Sequence, residues 1–193
     1  MSKDIILNVA IIIMEVIGLT MEFITGNQFF VYYTVDSNII ALLSAVVYLI
    51  CRNQNSRFAV ILRYVATCAL SLTMLIVFLV LMPTHIKSGT ALSYIVGWDS
   101  TFVHVLCPVA SFISFMFYEK NDLLKSEDVR FPVGYTIIYG VIIVMLNIVG
   151  KVYGPYNFLR IYDQPVWMSI FWTVFIFGIA IFIARMIQSK AAK

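Results

Sequence analysis

Six apolar stretches, each close to the length of one membrane span, constrain this chain more than any other feature. They cover approximately residues 5–25, 29–50, 61–82, 98–118, 132–150 and 165–187. A helix needs about 20 residues to cross a hydrocarbon core of roughly 30 Å. Hydrophobic residues make up 62% of the chain and charged residues 12%, which is outside the usual range of a soluble domain. The sequence therefore predicts an all-α polytopic membrane protein in which residues 1–193 form a single six-helix transmembrane domain.

The connections between these stretches are short. The longest run over approximately residues 83–97, 119–131 and 151–164, so no soluble domain fits between the helices. The first stretch carries Glu15 and Glu22 and lacks a small-residue cleavage site, which favours a retained helix over a signal peptide. Any function must then lie within the helices or at their ends.

Lysine and arginine are distributed unevenly between the two predicted faces of the membrane, with ten on one face and three on the other. Cytoplasmic loops are enriched in these residues, so the count predicts an integral multi-pass plasma-membrane protein with both termini in the cytoplasm. The same bias accounts for the net charge of +3, so no nucleic-acid partner is implied. The ten are Lys3, Arg52, Arg57, Arg63, Lys120, Lys125, Arg130, Arg185, Lys190 and Lys193, and the three are Lys87, Lys151 and Arg160.

Polar side chains within the apolar stretches concentrate in the outer half of the predicted helices. A side preference of this kind indicates a cavity that opens to the outer face, because such groups are costly in lipid. Glu15, near the middle of the first helix, either marks the floor of that cavity or is a protonated carboxyl bonded to a neighbour. The outer residues are Glu22, Thr34, Asp36, Ser37, Asn38, Asp99, His104 and Asn147.

Thr34 and His104 are predicted to lie at the same depth, roughly 7 to 9 Å below the outer interface, from a rise of about 1.5 Å per residue. Helical spacing places Thr34, Ser37 and Asn38 on one face and Asp36 on another. Pro108 cannot donate to the carbonyl of His104, so a kink is expected at the histidine. His104 is then either a proton-handling group or part of a packed kink.

Four motifs, in order along the chain, resemble those of the androgen-induced-protein-like family of six-helix membrane proteins, including its bacterial members. They are "YYTVDSN" at 32–38, "HVLCP" at 104–108, "FPVGY" at 131–135 and "YGPYNFL" at 153–159. Animal members are hydrolases of fatty acid esters of hydroxy fatty acids that use a threonine nucleophile and a histidine. The resemblance implies that Thr34 and His104 fill these two roles, with a lipid or lipid-like substrate.

The residue types suit ester hydrolysis. A threonine hydroxyl becomes an effective nucleophile when a base such as histidine takes its proton. Asn38 and Asn147 are candidate donors to the oxyanion. Glu22, Asp36 or Asp99 could orient the imidazole, and Asp99 falls on a different helix face from His104.

Other interpretations remain open at this point. Six helices also suit a small-molecule-binding subunit or carrier of a transporter, although the first helix lacks an A-x-x-x-A pattern. Thr34 could instead cap the start of its helix. The connection at 151–164 could be an ordinary interfacial loop or a lid over the cavity. The sequence contains no Walker loop, dinucleotide fingerprint or metal motif, and its three cysteines are scattered, so neither a cofactor nor a metal is implied.

Overall fold

The computed structural model describes residues 2–25, 29–86, 88–97 and 100–191. Within these ranges the chain forms helices and turns and no strand. The α-helices are α1 (Lys3–Thr25), α2 (Tyr33–Cys51), α3 (Arg57–Ile76), α4 (Met82–His85), α5 (Cys107–Phe117), α6 (Arg130–Ile148) and α7 (Val166–Ala191).

Five helical stretches in the described residues are long and apolar enough to cross a membrane. They are Lys3–Thr25, Tyr33–Cys51, Arg57–His85, Ser126–Ile148 and Val166–Ala191. A further apolar helix, Phe102–Phe117, is shorter. This confirms the prediction of a helical protein with several helices of membrane-spanning length.

Two helix starts differ from the sequence prediction. The helix expected from residue 29 is divided into a 3₁₀ turn, Phe29–Val31, and α2, which begins at Tyr33. The helix expected from residue 61 begins at Arg57, because the Ser56 side chain accepts from the Ala59 amide and caps it. Thr34 thus lies in the first turn of α2 rather than inside a helix already under way. Trp98 and Asp99, at the predicted start of the fourth helix, lie outside the described residues.

Two π-helical turns interrupt the spans, and each stands just before a proline. Val77–Leu81 precedes Pro83, and Phe102–Leu106 precedes Pro108. In both turns an amide donates to the carbonyl five residues earlier, from Met82 to Val77 and from Cys107 to Phe102. Since a proline nitrogen carries no hydrogen, the helix widens by one residue where the usual bond is lost. The kink expected at His104 is one of these turns.

The helix α3 is the centre of the bundle. The span that begins with α3 is the most buried of the five, and α3 packs against α2, α5, α6 and α7. By contrast, α7 fully buries only Ala180, Ile183, Ala184 and Ile187, and much of its surface is exposed. We call the end of the bundle where α1 begins and α7 ends the termini end, and the opposite end the cavity end.

A buried polar cluster, which we call the Arg63 network, lies toward the termini end. Arg63 and Glu119 are both buried, with 2.8 Å between Nη2 and Oε1. Asn8 and Ser114 also donate to Glu119, and Arg63 donates to Ser44 and Ser111. Arg63, predicted to be one of the charges at the membrane face, is completely buried.

Candidate functional site

An apolar cavity of about 390 Å³ lies at the cavity end. It is lined by residues of α2, α3, the π turn Val77–Leu81, α6, α7 and the 156–159 part of the loop that joins the last two helices. Most lining residues are aliphatic or aromatic, and those with hydroxyl groups are Tyr33, Thr34, Thr73, Thr136, Tyr139, Tyr156 and Thr173. A volume of this size falls within the range of small-molecule sites.

The α6 side of the cavity wall is partly exposed on the outside of the bundle. Val141, Met145 and Ile148 of α6 line it and are also 48%, 62% and 54% exposed on the outside of the bundle. Gly140 lies opposite Phe177 of α7, and a Cβ atom on the glycine would lie 3.6 Å from the ring. Since α6 is of membrane-spanning length, we expect these exposed side chains to face lipid.

Thr34 lines this cavity from the first turn of α2. Its amide donates to the Tyr156 hydroxyl at 3.3 Å, and its own hydroxyl lies 3.4 Å from the same oxygen. The residue before the helix, Tyr32, makes no side-chain cap. A tyrosine from a distant loop therefore satisfies a free amide of α2, which leaves the Thr34 hydroxyl at the cavity wall rather than in a capping role.

Tyr156 is held by aromatic packing. Its ring stacks on Phe158 with centroids 5.2 Å apart and meets Tyr32 edge-on at 6.0 Å. The loop folds back sharply at Gly154, where a Cβ atom would approach the Leu159 carbonyl oxygen to 2.8 Å. Burial raises the pKa of Tyr156 to about 12, against the opposing effect of its bonds to Thr34. The phenol consequently stays protonated at neutral pH and can donate a hydrogen bond.

The side chains that follow Thr34 brace the first turn of α2. Ser37 donates to the Thr34 carbonyl at 2.9 Å and shares a hydrogen bond with Thr73. Asn38 donates to the Thr34 carbonyl at 2.7 Å and to the Val103 carbonyl at 3.3 Å. Its amide group thus ties α2 to the π turn that carries His104, rather than pointing at the Thr34 hydroxyl. Asp36 is half-buried and does not line the cavity.

His104 is half-buried, and its Nδ1 atom lies 2.7 Å from the Tyr94 carbonyl oxygen. Because a carbonyl only accepts, Nδ1 carries the proton, and the lone pair of the neutral ring is on Nε2. At Nδ1 the orienting group is a backbone carbonyl rather than one of the carboxylates considered from the sequence. Of these, Asp99 lies outside the described residues, and Glu22 is half-buried near the end of α1.

The structure brings Thr34, Ser37, Asn38 and Tyr156 together, and His104 does not line the cavity. Asn38 provides one link, since it binds the carbonyl next to His104. Burial raises the pKa of Tyr94, whose carbonyl oxygen lies 2.7 Å from His104 Nδ1.

Two predicted residues have other surroundings. Asn147 donates from Nδ2 to the Val152 carbonyl and accepts from the Ile161 amide, so it fastens both arms of the loop that carries Tyr156. Glu15 is fully buried in the middle of α1, beside the Cys107 thiol. Neither residue lines the cavity.

Sequence reasoning missed the roles of Tyr156 and Tyr94. Tyr156 stands in the motif "YGPYNFL", which marked the segment as notable without indicating what its tyrosine contacts. Within the described part of the chain, no group of three or more His, Cys, Asp or Glu side chains could hold a metal ion. Comparison with known proteins gave no match to a family model, a curated protein or a solved structure.

Proposed function

We propose that this protein is an intramembrane threonine hydrolase of fatty acid esters, with Thr34 as nucleophile and His104 as base. One observation carries the proposal: Thr34 lines an apolar cavity beside α6 and α7, and its hydroxyl lies 3.4 Å from the Tyr156 phenol, which also lines that cavity. A lipid could bring its ester to Thr34 and leave its tail among the apolar walls. The family resemblance of the four motifs agrees with this assignment.

The chemistry proceeds in two stages. Thr34 Oγ1 attacks the ester carbonyl carbon while His104 Nε2 takes the hydroxyl proton, directly or through one water. The C–O bond to the alcohol then breaks, the imidazolium returns the proton to the leaving oxygen, and an acyl-threonine remains. Water, deprotonated by the same imidazole, attacks the acyl carbon and releases the fatty acid and the Thr34 hydroxyl.

Tyr156 is the donor placed to stabilise the oxyanion. Its oxygen already accepts from the Thr34 amide, so its proton can point into the cavity toward a carbonyl held there. A donor kept neutral by burial is suited to this task, because it has a proton to give at any physiological pH. The Asn38 amide is committed to two backbone carbonyls, so it supports the turn rather than the oxyanion.

The proposal includes six spans with both termini in the cytoplasm of a prokaryotic plasma membrane. Phe102–Phe117 is then the fourth span, shortened by the π turn and continued by residues before it. The termini end faces the cytoplasm, in keeping with the excess of lysine and arginine there. The cavity lies in the outer leaflet.

The decisive experiment compares Thr34→Ala with Thr173→Ala in purified protein. Thr173 lines the same cavity, but its hydroxyl bonds to Ser169 on its own helix. Hydrolysis of long-chain esters should fall by about 1,000-fold or more in Thr34→Ala, as expected for loss of a nucleophile, and persist in Thr173→Ala. A fluorophosphonate probe should label Thr34. Undiminished hydrolysis by folded Thr34→Ala would refute the proposal.

A lipid-binding subunit or carrier is the second candidate. It is favoured by the position of His104, whose Nδ1 is bonded to Tyr94 and which does not line the cavity. The apolar lining suits a lipid better than the water-soluble ligand of a vitamin transporter. A carrier would bind a fluorescent fatty acid equally well with alanine at position 34, and no ester would be cleaved by either protein.

A further inference from the structure

The two histidines of this chain meet at the same tyrosine. His85 Nε2 lies 3.3 Å from the Tyr94 hydroxyl, and His104 Nδ1 lies 2.7 Å from the Tyr94 carbonyl oxygen. The sequence contains no other histidine, and 19 positions separate these two. Tyr94 therefore connects the end of α4 to the π turn of His104, through its hydroxyl group at one end and its backbone carbonyl at the other.

The proton positions follow from the partners. His85 Nδ1 lies 2.9 Å from the Leu81 carbonyl, so it donates there, and Nε2 of the neutral ring is left to accept. Tyr94 must then donate its hydroxyl proton to His85. At its other end, the Tyr94 carbonyl accepts from His104 Nδ1. Each bond in this chain has one donor and one acceptor, so the arrangement is consistent from Leu81 to His104.

Packing holds the tyrosine in the same place. The rings of His85 and Tyr94 are 5.0 Å apart, and Tyr94 ends a short 3₁₀ turn, Ala91–Tyr94, that otherwise lies in a connection between spans. A backbone carbonyl in such a connection is normally free to move. Here the side chain of the same residue is anchored on His85, which restricts where the carbonyl can lie.

We propose that His85 is a positioning residue that acts through Tyr94 to hold His104 in its Nδ1–H form. His85 does not contact the reacting atoms. Its bond to the Tyr94 hydroxyl places the Tyr94 carbonyl, and that carbonyl fixes both the tautomer and the orientation of His104. This fills the part that a carboxylate plays beside many catalytic histidines. The catalytic consequence rests on the proposed function, while the state of the His104 ring can be measured without it.

The test is ¹⁵N NMR of protein labelled in its histidine rings, in detergent or nanodiscs, with His104→Gln to assign the two signals. Wild-type His104 should show a protonated Nδ1 and an unprotonated Nε2. In Tyr94→Phe and His85→Phe, its signals should move to the average of two exchanging tautomers. His85→Gln, whose carbonyl oxygen can still accept from Tyr94, should restore the wild-type spectrum. Tyr118→Phe, at the termini end, is the matched control.

Activity provides the second measurement. With a long-chain ester, kcat should fall about tenfold in His85→Phe while KM stays within about twofold, because only the orientation of the base changes. Unchanged His104 signals in both Tyr94→Phe and His85→Phe would overturn the inference, whatever the activity. If the wild-type protein cleaves no ester, the proposed function fails, and the NMR result alone decides whether His85 holds His104.

Discussion

The Arg63 network and the Thr34 site are both buried polar regions between apolar helices. The free-energy cost of burying polar groups is offset in a different way in each region. Arg63 and Glu119 are charged and enclosed, and hydroxyl and amide groups from α1, α2 and α5 form hydrogen bonds with them. The Thr34 site consists of neutral hydroxyls, an amide and an imidazole beside an open volume. Charge without space suits a structural role, whereas neutral groups with space beside them can accommodate a reactant.

The largest predicted effect is the loss of stability when one partner of the ion pair in the Arg63 network is removed. Arg63→Met leaves Glu119 buried without its counter-charge, so the free energy of unfolding should fall by about 3 to 5 kcal/mol. SDS-induced unfolding followed by tryptophan fluorescence measures this. Arg185→Met, at an exposed position on α7, is the control.

The double variant Arg63→Met/Glu119→Leu sharpens the comparison, because it removes both charges together. Its stability should return to within about 1 kcal/mol of wild type or exceed it. Esterase activity per folded molecule should be unchanged in it. A double variant that folds normally but is inactive would show that the two regions are not separate in function.

Removal of the Tyr156 hydroxyl should have a large effect on activity and a small effect on stability, the reverse of what we expect for the Arg63 network. Tyr156→Phe should lower kcat by about 10² to 10³, in the range seen when one oxyanion donor is lost. It should lower the free energy of unfolding by only about 1 kcal/mol, for the hydrogen bond to Thr34. Tyr162→Phe, from an exposed part of the same loop, is the matched control. A large loss of stability with normal kcat would assign Tyr156 a purely structural part.

The cavity itself can be tested by filling it. Gly140→Leu places a side chain where Gly140 faces Phe177, and turnover of a long-chain ester should fall about tenfold, in keeping with the cost of overpacking. A short-chain ester that needs only the Thr34 end should be cleaved at the wild-type rate. Gly178→Leu, on α7 with no atom within 4 Å of its added Cβ, should affect neither substrate. Equal losses for both esters would mean that the tail does not lie between α6 and α7.

The same tyrosine predicts a dependence of stability on alkaline pH. The pKa of Tyr156 rises from 10.0 to about 12 on folding, so the native protein keeps a proton that the unfolded chain loses. The stability that this contributes is complete below pH 10 and disappears as pH rises toward 12. The stability difference between wild type and Tyr156→Phe should therefore be constant up to pH 10 and shrink above it. A difference that grows with pH would contradict the assignment.

The sequence predicts where the long helices lie, but it does not predict the contacts at their ends. Long apolar runs predict α1, α6 and α7 closely, because spanning length and hydrophobicity are local properties. The proline at 108 predicts a kink, but the choice of a π turn depends on which carbonyls the neighbouring helices can satisfy. Likewise, α7 is apolar on every side, so nothing in its sequence indicates the face that forms the cavity.

For the candidate site residues, too, the sequence predicts groupings within one helix and does not predict contacts between distant segments. Helical spacing correctly groups Thr34 with Ser37 and Asn38, since that follows from geometry within one helix. Tyr156 could not be found in this way, because it reaches Thr34 from 122 positions further along the chain. Arg63 was expected at the membrane face for a related reason: its partner Glu119 lies 56 positions away, and sequence alone gives no sign of the pairing.

Tyr156 lies in the loop before the last helix, and its position late in the chain has a consequence for biogenesis. A ribosome delivers α2 to the membrane long before it has made residue 156, so a nascent chain holds the Thr34 hydroxyl without the phenol beside it. The proposed oxyanion donor, Tyr156, reaches Thr34 only after the Gly154 fold-back has formed. Under the proposed function, the protein would become able to cleave esters only at the last step of membrane insertion. Incomplete chains would then not hydrolyse the surrounding lipids.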